Sequence, residues 1–118
     1  MILILMENYS MSLDTVFQAL TDATRRAVIA RLGQGPASIG ELARPFDMAL
    51  PSFMKHVRLL EESGWIETRK QGRVRTCAIR REALAAAEHW LSAQRALWEQ
   101  RTDRLERFLL DEEQEKTK

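Results

Sequence analysis

Apolar residues recur at helical spacing over most of the chain and switch once to alternation. Leu13, Val16, Phe17 and Leu20 fall at i, i+3, i+4 and i+7, a short amphipathic helix over 13–20. Thr21-Asp22 breaks it and caps a second helix, TRRAVIARL, with Val28, Ile29 and Leu32 as its core residues and Gly33-Gln34-Gly35-Pro36 as its stop. Ser38, with Glu41 three residues on, has capping-box spacing for a third helix. Arg44-Pro45 ends that helix, because the residue before a proline is driven out of the helical region. Asp47 stands where a fourth helix needs its cap, and Pro51 fits the first turn, where a missing N–H costs nothing. Leu50, Phe53, Val57 and Leu60 then form one apolar face, and Gly64 closes the helix as a left-handed residue.

After Gly64 the period falls to two. Trp65–Arg69 and Val74–Ile79 alternate around Lys70-Gln71-Gly72-Arg73, a β-hairpin with a glycine turn. From Glu82 to Leu110 there is no glycine or proline, and Leu84, Leu91, Trp98 and Leu105 lie seven apart. That is one helix of about 28 residues, roughly 42 Å long. Its stripe, widened by Ala87, Trp90, Leu97, Phe108 and Leu109, is longer than a small domain covers with its own core, and large exposed apolar patches mark interfaces. The predicted fold is mainly α with a small β-hairpin wing: a winged helix-turn-helix with a long C-terminal dimerisation helix. Residues 1–12 are expected to be a disordered extension, with Met6 and Met11 as alternative starts. Residues 13–110 form the domain, with dimerisation helices at about 13–20 and 82–110, and 111–118 form a frayed polar tail. The dimer interface is expected to use Val16, Phe17, Leu20, Leu84, Trp90, Leu91, Leu97, Trp98, Leu105 and Phe108.

Charge changes the picture through its distribution. The 118 residues carry a formal net charge of +1, with 45% hydrophobic and 30% charged side chains, as in a soluble globular protein of one domain. Residues 52–81 hold eight basic and three acidic side chains, a net of +5, against ten basic and fourteen acidic elsewhere, a net of −4. The fourth helix bears Pro51, Ser52 and Lys55 opposite its apolar face, with His56 and Arg58 on the flanks. An ordinary amphipathic helix with a solvated face has the same pattern. The hairpin that follows decides between them, since Arg69, Lys70, Arg73 and Arg75 exceed what edge protection requires. A polar, cationic helix front followed by a basic hairpin is the footprint of a double-stranded DNA ligand, with helix 49–63 in the major groove and wing 66–79 on the backbone or minor groove. Arg25 and Arg26 are placed either for phosphate contact or for internal ion pairs.

Enzymatic chemistry finds no purchase: there is no glycine-rich phosphate loop, no H-E-x-x-H and no nucleophile elbow. The single cysteine, Cys77, permits no internal disulfide and fits a cytoplasmic chain. It is expected to be a half-buried strand residue, and a redox role would need an accessible, low-pKa thiolate. The longest apolar run, Met1–Met6, is too short to span a membrane.

Assembled, these segments resemble the ArsR-type winged helix-turn-helix repressors over about 13–110. The likeness rests on FQALTDATRRAVIARL, on SIGELARPF before the turn, on LPSFMKHVRLLEESGWI and on the RKQGRVR wing. The final WLSAQRALWEQRTDRLERFLL is similar to that of the metal-independent members. The resemblance implies a homodimeric, sequence-specific repressor on a palindromic operator, without cofactor or metal. It assigns DNA contact to Ser52, Lys55 and His56, and wing-tip contact to Lys70, Gly72 and Arg73. Metal-responsive members carry Cys-x-Cys in the third helix or paired Asp/His ligands in the last; here the third reads ELARPF and the last holds one histidine, His89. Many relatives are small and polar at the positions of Ala49, Leu50 and Met54. Contact with thymine methyls or indirect readout would substitute here. No residue marks the chemistry of a small-molecule inducer. The alternative function is a winged-helix protein-interaction module without specific DNA binding; the basic wing argues against it, because a protein partner would need a matching acidic groove.

Overall fold

The end of the first helix shows how the fold is assembled. A computed structural model of the chain describes residues 13–116, so the expected N-terminal extension lies outside the described residues. Helix α1 (residues 13–19) leaves its last carbonyls without helical partners, as every helix does. Each is met. The Trp65 indole Nε1–H donates to the Val16 carbonyl at 2.9 Å. The Leu20 amide donates to Phe17 at 3.0 Å and the Thr21 amide to Gln18 at 3.1 Å. Arg25 Nε donates to Ala19 at 2.9 Å and Arg26 to Leu20 at 2.7 Å. The two adjacent arginines therefore close α1 through carbonyl contacts rather than through ion pairs, with cations where the helix dipole favours them.

Helix α2 (Ala23–Leu32) starts on Asp22, whose side chain accepts from the Arg25 amide. That bond holds the Asp22 carboxyl below its usual range; burial opposes it, and the charges of His56 and Arg25 add to it. A carboxyl depressed in the folded state stabilises in full above its unfolded pKa and loses that contribution as pH falls through the depressed value. Asp22→Ala should therefore cost about 1 kcal/mol at pH 7, the usual worth of such a cap. The cost should shrink below about pH 4 in denaturant titrations; an equal cost at pH 7 and pH 3 would contradict this account.

A two-residue strand β1 (Ala37–Ser38) leads into the short helix α3 (Ile39–Ala43), capped by the Ser38 hydroxyl accepting from the Glu41 amide at 3.1 Å. Helix α4 (Leu50–Glu62) follows the turn. Strands β2 (Ile66–Gln71) and β3 (Val74–Ile79) and the long helix α5 (Arg81–Lys116) complete the chain. The sheet is antiparallel in the order β1-β3-β2, with Ala37 opposite Cys77 and Ile66 opposite Ile79. Gly64, at φ +82°, ends α4: the Trp65 amide reaches the Leu60 carbonyl at 3.0 Å and the Gly64 amide reaches Glu61 at 3.2 Å, the Schellman arrangement.

Several expectations are corrected. Asp47 is not the cap of α4: Ala49 holds that position without a side-chain bond, and Pro51 in the first turn leaves one donor fewer to satisfy. Val16 is fully buried, so it belongs to the domain core and presents no surface to a partner. Leu50 is 57% exposed, because α4 begins a turn before the core does. Cys77 is fully rather than half buried, and burial raises its thiol pKa, with Glu61 adding to the rise and Arg75 opposing it. Residues 111–116 of the expected tail are helical and continue α5, since glutamates, a glutamine and a lysine are good helix formers with no glycine or proline among them, while residues 117 and 118 lie outside the described residues.

Contacts divide the chain after Ala87 into two units. The first has one core of Phe53, Leu32, Leu60, Ile66, Val16, Val28, Val57 and Cys77, closed by Ala83 and Ala87 of α5. The second unit is the rest of α5. Within it Trp90, Leu91, Leu97, Trp98, Leu105, Phe108, Leu109 and Leu110 are all exposed. Among the described residues no helix is long and apolar enough to cross a membrane.

Candidate nucleic-acid interface

Helix α4 turns its buried face (Phe53, Val57, Leu60) to the core and leaves Pro51, Ser52, Lys55 and Arg58 exposed. The helix is held from both sides. On one side, the Thr68 hydroxyl of β2 donates to Glu61 Oε2 at 3.1 Å. On the other, the Arg25 guanidinium lies 3.2 Å from His56 Nδ1. A guanidinium only donates, so in the neutral ring Nδ1 is the acceptor and the proton sits on Nε2, whereas the charged ring would turn its Nδ1–H to Asp22. Asp22 Oδ2 is 3.7 Å from the same nitrogen. His56 is thus a half-buried link to α2, not a member of the exposed front; only its Nε2 edge is left for an outside partner. The helical pattern placed it on a flank, and only the packing of α2 on α4 shows which way that flank faces.

The wing is tighter than the alternation implied. The strands run on to the pair Gln71–Val74, closed by the two residues Gly72 and Arg73. Gly72 has φ +63°, and no non-glycine among the described residues has positive φ, the pattern of a II′ turn. Register sorts the four wing cations. Lys70 lies directly opposite Arg75, on the face that continues Ile66, Thr68, Cys77 and Ile79 toward α4. Arg69 is on the outer face with Glu67, at 3.9 Å. Arg73 occupies the turn itself. Arg75 and Arg58 line a shallow depression between wing and helix, with Glu61 and Glu62.

Like charges directly opposite on a sheet are destabilising by a fraction of a kcal/mol to about 1 kcal/mol. The wing accepts that at Lys70–Arg75. Among the described residues, Lys55, Arg58, Lys70, Arg73 and Arg75 make no ion pair, whereas Arg31, Arg69 and Arg80 pair with Glu41, Glu67 and Glu82. Arg44 and, on α5, Arg81, Arg95, Arg101, Arg104 and Arg107 are also without an ion pair among the described residues, so what distinguishes the helix front and wing is the local excess of charge, eight basic against three acidic side chains over residues 52–81. Leu50 and Gln71 share the exposed surface of the front and the wing; the sequence pattern assigned the first to the core and gave the second no role. Among the described residues no cluster of three or more His, Cys, Asp or Glu side chains is placed to hold a metal ion.

A helix presented this way beside a cationic wing defines a winged helix-turn-helix DNA-binding domain. A family model described as a helix-turn-helix domain matches residues 20–69. The crystal structure of an ArsR family transcriptional regulator is 63% identical, with a TM-score of 0.74 over 76% of this chain and 93% of that one. The HTH-type transcriptional regulator Rv2034 of Mycobacterium tuberculosis is 37% identical over 73 residues, 62% of this chain and 68% of its own length. The transcriptional repressor SdpR of Bacillus subtilis is 25% identical over 79 residues, 67% of this chain and 88% of its own length. The chain belongs to the ArsR family of DNA-binding transcriptional regulators.

Proposed function

We propose that the protein is a cytoplasmic, metal-independent homodimeric repressor that binds a palindromic operator and carries out no catalysis. The observation that carries the reading is the net charge of +5 over residues 52–81, which sets exposed Lys55, Arg58, Lys70, Arg73 and Arg75 on the front of α4 and the wing, a charge arrangement that suits a polyanion. Ser52 and Lys55 approach base edges, while Arg58, Lys70, Arg73 and Arg75 neutralise phosphate, with Gly72 allowing the turn to come close. The exposed apolar residues of α5 beyond Glu88 supply a surface for a second copy; in the first unit, exposed Leu84 and the partly buried Phe17 and Leu20 are the residues assigned to the same role. Two copies would set the recognition helices about one turn of DNA apart, roughly 34 Å. Repression then needs no further activity, since a dimer seated on a promoter excludes polymerase.

A gel-shift titration on the DNA upstream of the gene, with excess random competitor at two salt concentrations, tests this. A band that survives competitor and weakens steeply with salt is expected. Absence of binding at both salts would favour a protein-interaction module. Residue roles separate further: Lys55→Ala should weaken operator binding by about 1–3 kcal/mol and random DNA much less. Arg73→Ala should weaken both and lower the salt slope by about one unit. Equal losses of Lys55→Ala on operator and random DNA would defeat its assignment to bases.

A further inference from the structure

Leu50 is the exception among the apolar residues of α4. Phe53, Val57 and Leu60 are buried, and Met54 and Leu59 are partly buried against the core, but Leu50 is exposed, as are Ala49 and Pro51 beside it. In the first turn, Cα–Cβ bonds lean toward the helix N-terminus. These side chains therefore project past the end of α4, the part of a recognition helix that meets base edges. The tip has little hydrogen-bonding capacity. Ala49, Leu50 and Pro51 carry no polar side-chain atom, Pro51 has no N–H, and the amides of Ser52 and Phe53 both turn back to the Ala49 carbonyl at 3.0 and 3.1 Å. The cations Lys55 and Arg58 stand on the same helix and bring a polyanion to this surface. What a duplex offers an aliphatic side chain in its major groove is the 5-methyl group of thymine.

We propose that Leu50 is a specificity-determining residue that reads a thymine 5-methyl group in each half-site; this rests on the DNA-binding reading above. The leucine then covers apolar surface that water would otherwise meet, and the operator must carry thymine where α4 enters the groove.

The test uses the duplex that the full-length wild-type protein selects from a randomised library, with each thymine replaced in turn by uracil, which removes only the methyl. One thymine per half-site should prove sensitive, with about a four-fold loss for one half-site and about fifteen-fold for both, the worth of one buried methyl each. Leu50→Ala should bind the thymine and uracil duplexes alike and keep the wild-type melting temperature, since the residue is outside the core. If every uracil duplex binds wild type as well as its thymine parent, the proposal fails while operator binding stands. A uracil penalty of equal size in wild type and Leu50→Ala would assign the methyl to another side chain and also overturn it. Selection of no sequence at all would overturn the DNA-binding reading together with this one.

Discussion

A Trp98→Glu, Leu105→Glu double variant is expected to sediment as a monomer at concentrations where the proposed wild-type dimer forms, and to bind the operator between a hundred- and ten-thousand-fold more weakly. Both side chains are exposed on α5, in a stretch where every described large apolar residue is exposed. Each large apolar side chain contributes about 1.5–3 kcal/mol when buried, and a two-fold interface counts every one twice. The two substitutions thus remove roughly 6–12 kcal/mol of burial, the same size as the association cost that burial has to overcome. Four buried carboxylates without partners add desolvation cost. The operator effect follows because linking two half-site readers makes the second binding event intramolecular. Sedimentation velocity and the gel shift read the two effects separately. A variant that stays dimeric, or a wild-type chain that is monomeric at micromolar concentration, would remove α5 from the interface.

The second large effect belongs to Phe53. It is fully buried on α4 and stacks on Phe46 with ring centroids 5.7 Å apart. Phe53→Ala should cost about 3–5 kcal/mol, the transfer term plus the cavity left behind. For a domain of this size each kcal/mol lowers Tm by roughly 4–8 °C, so a fall of about 15–30 °C is expected by calorimetry. Because stability totals only about 5–15 kcal/mol, operator binding at 37 °C should fall with it. At low temperature the folded fraction should still bind, since Phe53 faces away from the exposed front proposed to meet DNA. A variant that melts within a few degrees of wild type would show that the core around α4 relaxes into the space.

Local signals were legible where one residue sets one backbone event. Asp22 and Ser38 cap the helices they precede, and Gly64 takes the left-handed conformation its position demands. The exposed front of Ser52, Lys55 and Arg58 and the exposed wing cations also follow from periodicity, because opposite faces of a helix and alternate residues of a strand are fixed by geometry. Tertiary packing decided the rest. Strand β1 is two residues long and exists only through its pairing with β3, so no period reveals it. Val16 and Leu50 both satisfied an apolar pattern, and the depth of the core at each end of its helix buried the first and exposed the second. His56 was legible as a flank residue, but its link to Arg25 depends on how α2 packs on α4.

The cross-strand pair Lys70–Arg75 gives ionic strength two points of action with opposite sign. Added salt competes with cations for phosphate and weakens the complex. In the free protein the same salt screens the repulsion between Lys70 and Arg75, whose Cβ atoms as directly opposite residues stand about 5 Å apart, inside a Debye length of about 10 Å at 0.1 M, and so helps the unbound wing hold its bound shape. Counterion release and wing preorganisation therefore offset each other in part. The number of phosphates inferred from a salt titration of this protein will be smaller than the number its side chains touch.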